Sequence, residues 1–114
     1  MTMFNTGNLH TLPFSDTAPQ FALAASTVLT YTVPGTSAHA YRCEFKLPSG
    51  SAVYVGYNST PTLPTAGTIS TGTRCELLTG GEARFVRGGD ILSFISATIV
   101  TNGGLNLLTL PGHQ

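Results

Sequence analysis

HAYRCEFKLPSGSAVYVGYN, residues 39–58, decides the fold class. Within 39–47, Tyr41, Cys43, Phe45 and Leu47 alternate with Arg42, Glu44 and Lys46. Side chains along a strand switch faces at every residue, so this spacing predicts one face in a core and one charged face in water. Pro48-Ser49-Gly50 supplies a turn, and 52–58 returns with Val53, Val55 and Tyr57 on one side. Residues 39–58 are therefore expected as a β-hairpin.

The same texture extends in both directions. Upstream, 27–33 is a β-prone run that ends at Pro34-Gly35. Downstream, 58–72 (NSTPTLPTAGTISTG) is a long uncharged connection whose prolines cannot join a central ladder; at most 68–70 makes a short edge pairing. The run 73–79 is expected with Cys75 and Leu77 inward, and 83–87 with Phe85 inward. Residues 91–101 are apolar on both sides, as in a strand covered on two faces, with a bend expected near Ser96-Ala97. Asn102-Gly103-Gly104 signals a further hairpin, with 105–110 pairing back. No segment combines helical capping with 3.6 periodicity. Seven to eight short strands with regularly spaced turns predict an all-β chain, an antiparallel sandwich of jelly-roll type over 27–114.

Residues 1–26 read differently. They hold a single charge, Asp16, and no sustained period, yet Phe4, Leu9, Leu12, Phe14, Phe21 and Leu23 make them too apolar for a disordered tail. An extended N-terminal arm that packs on its own sheet or on a neighbouring chain is expected. Residues 1–12 lack the basic and apolar stretches of a secretory signal, which points to a cytoplasmic product or a particle assembled there. No apolar run is long enough for a transmembrane helix, and no membrane partner is expected.

Composition bears on partners. Only five Lys+Arg and five Asp+Glu occur in 114 residues, 9% charged against 41% hydrophobic, with a formal net charge of zero. Soluble domains draw roughly 25% of their residues from these four types. A surface so poor in charge implies assembly, and the unguarded edges of a small sandwich imply that neighbouring subunits cover them. Arg42, Lys46, Arg74, Arg84 and Arg87 each have an acidic residue nearby in sequence and leave no basic stripe, so nucleic acid is not an expected partner.

Candidate chemistry is sparse. His10, His39 and His113 are far apart and outside metal-ligand spacing of one another or of a cysteine. Cys43 and Cys75 are expected as reduced, buried thiols. Glu44 and Glu76 read as members of exposed strand faces, Glu82 and Asp90 as turn residues, with Asp90 capping backbone amides. No nucleophile motif occurs, and Asn58-Ser59-Thr60, although a glycosylation pattern, lacks a secretory context. No catalytic, metal or cofactor residue is assigned. Tyr54 and the Tyr57-Asn58 strand end are the residues on which a sugar could stack. The residues expected to make contacts between chains are Phe4, Leu9, Leu12, Phe14 and Phe21 of the arm and Leu63 and Ile69 of the 58–72 loop, which is long for a connection.

Along 52–110 a Val-Tyr-Val strand, the loop YNSTPTLPTAGTISTG, a polar strand, Arg-Phe-Val, Gly-Gly-Asp, Leu-Ser-Phe-Ile-Ser-Ala and a leucine strand follow one another. This succession, about half the chain, resembles the small decoration or cement proteins encoded near the capsid genes of tailed bacteriophages. The resemblance implies a non-enzymatic virion protein on the capsid exterior, a homotrimer whose partner is the major capsid protein. Host-recognition modules of phage tails share the same Gly/Thr-rich texture, and imply as the alternative a tail or fibre component that binds a host-surface glycan.

Overall fold

The computed structural model describes residues 14–110. Eight strands follow in order: β1 Gln20–Leu23, β2 Leu29–Thr32, β3 Ala40–Lys46, β4 Val53–Tyr57, β5 Cys75–Leu78, β6 Ala83–Arg87, β7 Ile91–Ile95 and β8 Val100–Thr109. They form two antiparallel four-stranded sheets, β1-β8-β3-β6 and β2-β7-β4-β5, called A and B below. All consecutive strands except β4 and β5 belong to different sheets. This is the eight-stranded jelly roll, in which every short link carries the chain across the sandwich. The all-β sandwich expected from the sequence is thus the observed fold.

The hairpin expected over 39–58 does not form. β3 pairs with β6 and β8, and β4 with β5 and β7. Alternation reports which face of a strand is buried, not which sheet the strand joins. Here Tyr41, Cys43 and Phe45 of β3 face Val53 and Val55 of β4 across the core. The link 47–52 is long enough to bridge sheets about 10 Å apart, whereas a two-residue turn would have forced pairing. The hairpin expected at Asn102-Gly103-Gly104 is also absent: β8 runs through it unbroken, and neither glycine has positive φ. Gly103 is needed for space, since a Cβ there would stand 2.4 Å from the Phe21 ring. The expected bend at Ser96-Ala97 is real and separates β7 from β8.

Two registers differ from expectation. In β5, Leu78 opposite Val53 and Glu76 opposite Val55 face inward, while Cys75 and Leu77 face outward. In β6, Val86 opposite Tyr41 and Arg84 opposite Cys43 face inward, and Phe85 lies on the outer face under the Arg87 guanidinium, 5.1 Å from its carbon. Both strands are short edge strands with apolar residues on each face, so a one-residue slip leaves the pattern nearly unchanged. Their inward charges, Glu76 and Arg84, meet across the sandwich, a known means of keeping edges from pairing with another sheet.

Sheet A also takes in residues that the sequence assigned to the arm. β1 pairs with β8, Asp16 N–H and Leu107 N–H bond across to Leu107 and Thr17 carbonyls, and the Asp16 carboxylate accepts Thr109 N–H at 2.8 Å. That bond lowers the Asp16 pKa. The core lies between the sheets around Phe94, whose ring centroid is 4.9 Å from Phe21 and 6.5 Å from Phe45.

Candidate functional site

The residues expected to make contacts between chains do not gather in one place. Phe4, Leu9 and Leu12 lie outside the described residues. Phe14 is fully exposed and walls a shallow hollow on the outer face of sheet A, beside Arg42, Asn106 and Leu108. Phe21 turns inward instead: it is half-buried, lies against Gly103 and packs on Phe94. It is a core side chain, because its strand register directs it between the sheets. Leu63 is half-buried and Ile69 is 96% exposed, both within the loop expected at 58–72. That loop contains no strand and covers sheet B, on the side opposite Phe14. Its start folds back so that Pro61 is buried and Ser59 O rests over Gly56.

Asn58 anchors the loop. It has φ of 51°, its N–H and side-chain carbonyl pair with Ile91, and its amide donates to Asp90. Asparagine tolerates this left-handed conformation better than most residues. Asp90 also accepts Arg87 N–H, the amide-capping role expected for it. Its carboxylate raises the Tyr57 pKa above the usual phenol range. Glu82 likewise caps the preceding turn by accepting Thr79 and Gly80 N–H.

Beneath the loop, Tyr54, Cys75 and Leu77 on the outer face of sheet B form, with the loop's threonines and prolines, a hollow of about 330 Å³. The Cys75 sulfur lies 3.4 Å from Thr73 O and 3.6 Å from Ser59 Oγ. It is half-buried and on the outside, contrary to the expected inward position, because the β5 register places Leu78 in the core. Cys43 is fully buried, and burial pushes its thiol up to about 12. Both thiols are free. Iodoacetamide at neutral pH is therefore expected to modify Cys75 in the folded protein and Cys43 only after unfolding, since the thiolate is the nucleophile; peptide mass spectrometry reads the difference.

A second space, about 240 Å³, opens between the sheets at the β5 and β6 edges. Its floor is apolar: Phe45, Val55, Leu78, Val86 and Leu92. Across its mouth Arg84 donates twice to Glu76, with Nε 3.2 Å from Oε2 and the second nitrogen 2.6 Å from Oε1. This bond lowers the Glu76 pKa and raises that of Arg84. Arg74 and Tyr57 complete the rim. Sequence reasoning missed this cluster because Glu76 and Arg84 lie in strands whose inward face it placed one residue away. Among the described residues, no three His, Cys, Asp or Glu side chains are grouped so as to hold a metal ion.

No protein-family model matches the chain, and no curated protein matches it. Among solved structures it is similar to a chain of Bacillus endospore appendages, described as a novel family of disulfide-linked pili. The identity is 16% and the TM-score 0.39, over 81% of this chain and 88% of that one. A likeness this slight carries no inference about what the protein does.

Proposed function

We propose that the protein is a non-enzymatic structural subunit of a virion, a decoration protein that sits on the capsid exterior and stabilises the shell by bridging capsid subunits. The observation that supports this most is Phe14, a fully exposed aromatic on the outer face of a sandwich in a chain with 9% charged residues. Large exposed apolar side chains of this kind mark contact surfaces when they lie in a patch, and Leu108 and the Arg42 stem lie beside this one. Jelly rolls recur among viral capsid domains, an analogy of fold only. The bridging mechanism is linkage: a protein that binds the assembled shell and not its separated parts raises the free energy of opening the shell. The reading includes a homotrimer, with the major capsid protein as partner.

The test compares virus particles with and without the protein by mass and by temperature of genome release, with Phe14→Ala as the variant. Many copies per particle and earlier release on removal are expected. Phe14→Ala is expected to weaken attachment about tenfold or more, as truncation of an aromatic contact does. Its melting temperature should stay that of the parent, because Phe14 touches no core residue. A few copies per particle and unchanged release would instead favour the tail or fibre reading, for which the hydroxyl-rich hollow beside Tyr54 would be the place to test glycan binding.

A further inference from the structure

The geometry points to a ligand site in the opening between β5 and β6, for a small anion with an apolar body such as an aryl or short alkyl carboxylate. Protein interiors hold few voids larger than a water molecule, yet here five core side chains line a space of about 240 Å³ that reaches the surface. An engineered apolar cavity of roughly 150 Å³ already takes up benzene. The floor therefore suits one ring or a short chain, with room left for a head group at the rim.

The rim selects the sign of that head group. Of the side chains lining the opening, Arg74 and Arg84 are cationic and Glu76 anionic; Glu82 acts on Glu76 and Arg84 from beside them and Asp90 on Tyr57, so the preference for an anion rests on Arg74. Arg84 is engaged with Glu76, whereas the Arg74 guanidinium has no hydrogen-bond or ion-pair partner among the described residues. Arg74 is moreover held at φ of 57°, with its carbonyl accepting Tyr57 N–H at 2.9 Å. A non-glycine residue in that region is strained, and such residues cluster at ligand clamps. Edge protection accounts for the Glu76–Arg84 pair but not for an unpaired, left-handed arginine beside an apolar opening. Arginine presents a planar fork that matches a carboxylate.

The experiment titrates the full chain, labelled with ¹⁵N, with phenylacetate, its neutral isostere phenylacetamide and the cation phenethylamine. Saturable shifts are expected at the Val55, Leu78 and Val86 amides, with phenylacetate bound about tenfold more tightly than phenylacetamide, equivalent to ~1.4 kcal/mol. Arg74→Asn keeps a residue that accepts left-handed φ and removes the charge; it should bring phenylacetate down to the level of the amide. Absence of saturation by about 10 mM, equal binding of all three probes, or unchanged phenylacetate binding in Arg74→Asn would each overturn the assignment.

Discussion

Phe94→Ala is expected to lower the free energy of unfolding by about 3–5 kcal/mol, the range for an aromatic ring removed from a packed core. Phe94 is 1% exposed on β7, in the middle of sheet B. Its ring touches Phe21 of β1 and Phe45 of β3, so one side chain joins sheet B to two strands of sheet A. Neighbours fixed in two sheets cannot collapse into the space it leaves, which places the cost at the upper part of the range. Small domains have only about 5–15 kcal/mol of stability in all. Urea unfolding followed by circular dichroism should show the midpoint falling steeply with an unchanged slope. Phe21→Ala should move the same midpoint in the same direction, whereas Phe14→Ala should leave it in place. A large effect of Phe14→Ala on folding would return that residue to the core.

Gly56→Ala is the second substitution expected to be severe, at roughly 3 kcal/mol, the upper end for overpacking. A Cβ at Gly56 would lie 2.1 Å from Ser59 O and 2.9 Å from Pro61 Cδ. The obstacle is backbone, and it cannot step aside cheaply, because Asn58 is bonded to Ile91 through both its main chain and its side chain. A loss of this size corresponds to a fall of roughly 10–20 °C in Tm for a domain of about 100 residues. Gly104→Ala is the control: its Cβ would meet only Pro19 O, at 3.5 Å, and the φ is not positive. If differential scanning calorimetry showed equal losses for the two variants, the close approach at Gly56 would not be the cause.

Fold class was legible because alternation in 39–47 and 52–58 is strong and Gly, Pro and Asn separate the runs. Strand partners were not, because alternation is the same for two strands side by side and for two strands facing each other across a core. Gly103 shows a related limit. Asn-Gly-Gly reads as a turn locally, and only Phe21, more than eighty residues earlier, makes a straight strand with a small residue the better solution. Charged residues on the edge strands misled for a further reason. Glu76 and Arg84 sit at inward positions of their strands yet stay half exposed at the sheet edges, where they pair with each other across the sandwich. The opening that they span could not be read from either strand by itself.

The strand order sets when the molecule can fold. β1 has one neighbour, β8, and β2 has one neighbour, β7. A ribosome releases the earliest strands first, so both must wait, unpaired, until β7 and β8 have been synthesised. Only β4 with β5 and β3 with β6 can pair before then. Closing such distant pairs is slow, on the order of milliseconds to seconds for sandwiches of high contact order. Completion of the sandwich therefore waits for β7 and β8 to emerge, and until then the nascent chain carries its first two strands without their partners. In that interval those strands are open to chaperones or to the same strands of other nascent chains.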